Sequence, residues 1–519
     1  MASTFFGLTI AYSGLQAANT SLTITGHNVS NINTKGYTKQ QAGTQAADAL
    51  RTHTTYGAIG SGVVVTEISQ IRDSYYDVKY RNNMANYGQY SVKESYMGQI
   101  EDYLDEFTLN GYSQEYKNFF SAVNQLTITP GDTSAKNQLI NNAKSLADYF
   151  NTLTTNLRNV QADANNEIKD AVQQINSYAK NIAALNRQIN QIEANYGNAN
   201  DLRDKRNAMI DELSEIVNLE TLEEDMGNNV SNFSVRINGQ TLVSSYSYNT
   251  LETVARADKK NYSDAEGLYD VQWNSGQKFD MYSTSLSGHL KGLIDIRDGN
   301  NGEHENIETD DDGNNVTDSD GNLVLTTAPA ADKTVSYKGV PYYQAQLNEF
   351  AKIFSDAVNK IMKSGYTSDG SSKGISLFVT QPNTTVMSAG NITVNPELLK
   401  NADLLAIKKE QNDGESDAQI MEELNKLQSE KIFAGGTGSY FLESIVSDMS
   451  IDSQKAVNLY KNYTDLKTSI HNQRLSIMGV DTDEEAMDMI KYQQAYNLNS
   501  KMMSVMNQIY DKLINQTGI

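Results

Sequence analysis

Both ends of this 519-residue chain carry a heptad stripe, and such a stripe needs a partner helix. Near the start, Leu8, Ala11, Leu15, Ala18, Leu22, Thr25, Val29 and Ile32 recur at spacings of three and four. Near the end, Met489, Tyr492, Tyr496, Asn499, Met503, Met506, Tyr510 and Leu513 do likewise. Neither stripe can bury itself alone. Together they predict a protein whose ends meet and then pack into something larger.

Between the ends the helical signal returns several times. The first helix is expected to be capped by Ser3 or Thr4 and to end near Asn33, where Asn and Gly accumulate. Residues 54–66 read as a short hairpin or extended linker. The spacing predicts a helix from Asp73 to Phe107, in a stretch whose nine tyrosines over 75–116 fit a packed helical face. A shorter helix carries Phe119, Val123 and Leu126.

After the Pro130-Gly131-Asp132-Thr133 turn comes the longest run. Leu139, Ala143, Leu146, Phe150, Leu153, Leu157, Val160 and Ala164 are followed by Ile168, Ala171, Ile175, Tyr178, Ile182, Leu185, Ile189, Ile192 and Tyr196. A continuous helix of about 60 residues would be roughly 90 Å long. Leu202, Met209, Leu213 and Ile216 then return as the second arm of a hairpin. Five prolines in the whole chain suit such lengths, since an interior proline costs about 3 kcal/mol.

From Thr221 the period changes to short alternations, with Asn238-Gly239 as a hairpin turn. Residues 222–339 are read as a β-rich middle domain. Helices resume at 344–363, in two short pieces over 396–431, and from Ser439 to Ile477. The last helix opens on Thr482-Asp-Glu-Glu485, read as a capping box. The expected fold is mainly α with a β insertion. Residues 1–37 and 480–519 form a terminal coiled-coil domain, 38–221 and 340–479 an elongated helical bundle, and 222–339 an outer β domain.

The composition narrows the function. Hydrophobic residues make up 39%, which argues against one large core. A net charge of −22 repels phosphate backbones and anionic lipid, so nucleic acid and membrane surfaces are poor partners. No apolar run reaches the ~18 residues of a membrane span. No ordinary secretory signal is visible at the N-terminus. Cysteine is absent, which removes disulfides, thiolate metal sites and cysteine nucleophiles.

A search for chemistry finds little. Glu308-Thr-Asp-Asp-Asp-Gly-Asn-Asn and Asp318-Ser-Asp-Gly-Asn322 are rich in carboxylates. They miss the calcium-loop spacing: Asn315 stands where glycine is needed, and no glutamate follows at the twelfth position. Two Asp-Gly-Asn turns in a solvated loop explain them. His27, His53, His289, His304 and His471 are scattered, with no zinc motif. No nucleophile elbow, phosphate loop or dinucleotide fingerprint occurs. Trp273, the lone tryptophan, is expected to be a packing residue. No catalytic, cofactor or metal residue is assigned.

The strongest local signals are of another kind. Asn28-Val-Ser-Asn31-Ile-Asn33-Thr34-Lys-Gly36-Tyr37 resembles the Asn-rich signature of flagellar rod, hook and hook-associated proteins. Gly479-Val-Asp481, Glu484-Glu485-Ala and Tyr492-Gln-Gln494-Ala-Tyr496 look like the C-terminal signature of the hook-associated group. Tyr178-Ala-Lys, Ile182-Ala and Leu185-Asn, with Gln188-Ile189, then Asn200-Asp201-Leu202-Arg203-Asp204, Arg206 and Glu212-Leu213, look like the long hairpin of the FlgK family of hook–filament junction proteins. The segments Gly288 to Asp298 and Ile392-Thr-Val-Asn-Pro396 also look like this family. Residues 299–337 match nothing comparable.

That resemblance implies terminal helices paired as an inner coiled coil around a channel, ordered only with partners. It implies a helical tube wall and an outward β domain. The assembly interface would include Leu8, Leu15, Leu22, Asn28, Val29, Asn31, Gly36, Tyr37, Tyr492, Gln494, Tyr496, Met503, Met506, Tyr510 and Leu513. Partners would be further copies of the chain, hook protein, a second hook-associated junction protein and an export chaperone. The location would be the extracellular flagellum, reached by type III export without a cleaved signal. A rod or hook subunit, a secreted coiled-coil adhesin and an enzyme on the β insertion are the rival readings.

Overall fold

The computed structural model describes residues 6–51, 58–104, 111–310, 312–329, 336–414 and 416–516. Ser3, Thr4 and Phe107, named above, lie outside them. The helices are α1 (Phe6–Ser30), α2 (Ser74–Leu104), α3 (Tyr112–Ile128), α4 (Thr133–Glu193), α5 (Asn200–Ile216), α6 (His289–Asp298), α7 (Val340–Ser364), α8 (Pro396–Lys400), α9 (Gln419–Lys426), α10 (Gly438–Met478) and α11 (Thr482–Asp511). The strands are β1 (Gln40–Ala46), β2 (Leu50–Arg51), β3 (Ala58–Ile59), β4 (Val63–Gln70), β5 (Leu219–Asp225), β6 (Ser231–Ile237), β7 (Gln240–Ser244), β8 (Ser247–Tyr248), β9 (Leu251–Ala255), β10 (Tyr269–Trp273), β11 (Glu303–Ile307) and β12 (Leu325–Pro329). Four short strands follow: β13 (Tyr366–Thr367), β14 (Phe378–Thr380), β15 (Ile392–Val394) and β16 (Ala406–Lys408). The chain is mainly α with small antiparallel sheets. No described helix is long and apolar enough to cross a membrane.

The residues group into two compact units. One holds 1–85, 175–250 and 463–519; the other holds 86–174 and 251–462. The stretch 222–339, read as one β-rich segment, is thus shared between them. It also contains a helix: α6 is buried from Leu290 to Asp298, so the alternating look of Leu-Ile-Asp-Ile reflects burial all round, not a strand.

In the first unit, α1 packs antiparallel on α11 and also touches the β1–β4 hairpin. The end of α4 carries the four-stranded sheet β5–β6–β7–β8. Asn186 Nδ2 donates to the carbonyls of Phe233 and Ser245 at 3.2 and 2.9 Å, which ties helix to sheet. Arg206 of α5 is buried, with its guanidinium 3.7 Å over the Phe233 ring and bonded to Asn186 and Glu223. Burial pushes its pKa down to about 10, while Glu223 opposes the fall. Ile182 and Ile189 are buried as expected, but Ile192 and Tyr196 point to solvent. Glu193 is buried and gripped by Arg203 at 2.6 and 2.8 Å.

In the second unit, the core is aromatic. Tyr116, Phe119, Phe120, Phe150, Phe350, Phe354 and Phe378 are nearly inaccessible, and Phe350 stacks on Phe433 at 5.1 Å. Trp273 is buried edge-on to Phe279. Asp298 at the end of α6 is bonded by Arg256, Arg297 and Tyr282. Burial alone would raise its pKa, but the two guanidiniums outweigh it and hold the carboxyl below the usual range.

The acidic loop corrects an expectation. Asp310 and Asp318 do cap tight turns, each accepting from the backbone N–H four residues on at 2.8 Å. The stretch 305–325 is not simple surface decoration, however. Glu305, Val324 and Leu325 are buried, and Asp320 is held by Ser376, Asn359 and Lys363. Only the first turn is free of such anchoring among the described residues.

Candidate assembly interface

The terminal seam runs one residue earlier in α1 than the leucine stripe. Ala11, Ala18, Ser21, Thr25 and Asn28 are buried, whereas Leu8, Leu15, Leu22 and Val29 are half-buried and Ile32 is exposed. Small residues win because they let the helices approach closely. A Cβ on Gly7 would lie 2.8 Å from Met506 Cε, and one on Gly14 would lie 2.6 Å from Asn499 Oδ1. These notches are a heptad apart on both helices, and they set an antiparallel register that places Ser21 opposite Tyr492 and Asn28 opposite Glu485.

On α11, Tyr492, Tyr496, Asn499, Met503 and Met506 are half-buried and Tyr510 is buried, as the sequence suggested. Met489 and Leu513 are exposed, and the seam's first member is Glu485, not a methionine. The opposite face is apolar and open. Met487, Ile490, Leu498, Met502, Val505 and Ile509 follow a helical period there, each between 43% and 65% exposed. Gln494 is exposed and sits within that stripe.

At the open end of the pair lies a polar clasp. Asn28 is 1% exposed. Its Oδ1 accepts from Gln40 N at 3.0 Å and Tyr37 Oη at 2.8 Å. Its Nδ2 donates to Gln40 O at 2.9 Å and Glu485 Oε1 at 3.2 Å. Lys39 Nζ bonds Glu484 and Glu485 at 2.9 and 3.1 Å. Burial would lower the Lys39 pKa, but those two carboxylates raise it overall. Burial, then Asp201 and Asp204, raise the Tyr37 phenol well above its ordinary value.

The rest of the Asn signature builds the turn that delivers Tyr37 and Lys39. Asn31 Nδ2 donates to His27 O at 3.0 Å and its Oδ1 accepts from Thr34 Oγ1 at 3.1 Å. Gly36 takes a φ of +81°, which glycine tolerates best. Thr38 then bonds Asp204 of α5 through both N and Oγ1. The α11 cap is Asp481, which accepts from the N–H groups of Asp483 and Glu484, leaving Glu485 for the clasp.

Sequence reading missed Glu485, Lys39 and Gln40 as clasp members, and Gly7 and Gly14 as notches. The heptad spacing of the glycines against the leucines was the available signal.

This arrangement can hold helices and present apolar ridges. Residues 97–378, more than half of the chain, match "Flagellar hook-associated protein FlgK helical domain". Residues 471–516 match "Flagellar basal body rod FlgEFG protein C-terminal". Flagellar hook-associated protein 1 of Bacillus subtilis (strain 168) is 26% identical over 543 residues, spanning 100% of this chain and 99% of its own. The protein of that name from Salmonella typhimurium is 27% identical over 551 residues, spanning 97% and 98%. In fold, the flagellar hook junction protein FlgK from Burkholderia pseudomallei matches with a TM-score of 0.60 at 14% identity, covering 77% of this chain and 100% of that one. The chain belongs to the FlgK family of flagellar hook-associated proteins.

Proposed function

We propose that this protein is a structural subunit of the bacterial flagellum that forms the junction between hook and filament. The observation that carries this reading is the α1–α11 pair. It is closed on its inner seam and leaves two apolar ridges outside. In the assembly, the half-buried Leu8, Leu15, Leu22 and Val29 ridge of one copy packs against the Met487–Ile509 stripe of the next. Burying such area between copies supplies the driving force that the single chain leaves unused.

Hook protein and a second hook-associated junction protein are the neighbours on either side. An export chaperone covers the ridges before secretion, and the chain leaves through the flagellar type III channel without cleavage. The role is carried by interfaces, and no residue acts as a catalyst. The match of the last helices to rod proteins fits a shared mode of axial assembly, while the helical domain separates this chain from rod and hook subunits.

Deleting the gene tests the reading. Cells should build basal bodies and hooks, stay non-motile, and release flagellin into the medium. Normal filaments on the deletion strain would overturn it.

A further inference from the structure

Asp264 and Glu305 are carboxylates deep in the second unit, 1% and 4% exposed. Both serve one short loop, residues 261–264. Asp264 Oδ2 accepts from Asn261 N at 2.9 Å, and its Oδ1 accepts from Gln161 Nε2 of α4 at 2.9 Å. Glu305 of β11 accepts from Asn348 Nδ2 of α7 at 2.6 Å, and the same Nδ2 donates to Ser263 Oγ at 2.7 Å. Tyr262 N donates to Glu305 O at 2.9 Å. The loop is thereby tied to α4, α7 and β11, and all of these donors are neutral. The cations nearby are engaged elsewhere. Arg297 and Arg256 bond Asp298, Arg158 Nε donates to Ser263 O, and Lys352 Nζ donates to Leu325 O. Among the described residues, no Lys, Arg or His is ion-paired with either carboxyl. Asp298 of α6 repels Asp264, and Asp264 repels Glu305. The other titratable neighbours are Glu303 and His304 of β11, Glu349 of α7 and the Tyr262 phenol. Burial, ahead of that repulsion, raises both carboxyls above their ordinary 3.8 and 4.5 despite the neutral donors.

We propose that the Asp264–Glu305 pair keeps a proton at neutral pH and is an alkali-sensitive latch on the 261–264 loop. Two buried anions without a cation are costly. One retained proton removes their repulsion and leaves the donor bonds in place. Glu305 and Asn348 also line a cavity of about 180 Å³ with Thr326, Glu349 and Lys352, which gives solvent a route to the pair. As pH rises, hydroxide takes the proton along that route and leaves as water. The two anions then repel, and the loop loosens from α7. The folded state holds the proton more tightly than the unfolded chain. The latch therefore contributes fully below the ordinary carboxylate range and is lost as pH rises above it. The inference stands on the second unit alone and needs neither the α1–α11 packing nor the assembly proposed above.

The test uses the full-length protein. Trp273, the lone tryptophan, is buried in the same unit, so its fluorescence follows unfolding there. Urea titrations are compared with those of a double variant, Asp264→Asn with Glu305→Gln. While the folded pair keeps one proton that the unfolded chain has lost, the native folded-to-unfolded ratio should fall by roughly tenfold per pH unit relative to the double variant. Asp258→Asn, exposed on the same segment, should track the native chain. Infrared spectra read the proton itself. At neutral pH the native protein should show a protonated-carboxyl C=O band that is weaker in the double variant. A native chain without that band overturns the proposal, whether or not the variants fold. So does a double variant that keeps the whole band, or one whose stability changes with pH in parallel with the native chain.

Discussion

Asn28 Nδ2 donates to Glu485 Oε1 at 3.2 Å, joining two residues that stand 457 positions apart in the chain. Both are 1% exposed, and Asn28 spends all its hydrogen-bonding capacity on this site. The bond sets the axial register of α1 against α11. Asn28→Ala leaves the Gln40 backbone and the Glu485 carboxylate short of partners, at a cost of about 1–3 kcal/mol. Protease trimming of α11 should accelerate accordingly. Gln494→Ala, on the open face, should leave it unchanged. Equal rates for Asn28→Ala and the native chain would remove the clasp from the account.

Within the long hairpin, Ile182 is fully buried. Ile182→Asp puts an unpaired carboxylate in the core of the first unit, which costs several kcal/mol. Its cooperative thermal transition should be lost or much lowered. Lys180→Ala, two residues away on the exposed face, is the control and should melt like the native protein. Matching losses in both would mean that the buried face of α4 is misassigned.

How much of this was legible depends on what each position needed. The reach of α4 was readable because apolar residues recur over sixteen heptad positions within it, with no proline. Of the α1 stripe, Ala11, Ala18 and Thr25 stand in the seam, while Leu8, Leu15, Leu22 and Val29 fall one residue beside it, because sequence patterns weight large side chains. Close helix approach instead selected Gly7, Gly14 and Ser21, which have little hydrophobic signal. The helix α6 was hidden because a segment buried on every side has no amphipathic period. The Asn signature was recognised, but its bonding role was invisible: its partners Gln40 and Glu485 are set by the meeting of the chain ends.

Asp356 of α7 gives a pH test for the second unit. Burial, with Asp318 and Asp320 nearby, pushes its pKa up to about 6 from an ordinary 3.8, against the opposing pull of Lys352 and Lys363. The folded state therefore favours the proton. The contribution of this group is full below about pH 4 and is lost as pH rises toward 6. Asp356→Asn keeps a neutral side chain at all pH values. Over that window its melting temperature should fall less with rising pH than that of the native chain. Parallel curves would show that Asp356 titrates normally.

The outer ridge and the inner seam can be separated by mutation. Leu15 is half-buried beside the seam, while Met506 sits in it. Leu15→Asp should leave α1 and α11 paired, because the charge can point to solvent. It should still be exported, yet block filament growth, because the ridge can no longer be buried against a second copy. Leu22→Asp should do the same. Met506→Asp should weaken the pair itself, so faster trimming of the purified protein should accompany the loss of filaments. Removing residues 310–314 should spare motility, since among the described residues that turn bears no anchor of the kind Asp320 provides. Trimming assays on purified variants and motility with flagellin release in complemented deletion cells distinguish the classes. Full motility with Leu15→Asp and Leu22→Asp together would show that the ridge faces no other subunit. Faster trimming of Leu15→Asp would instead place Leu15 in the seam.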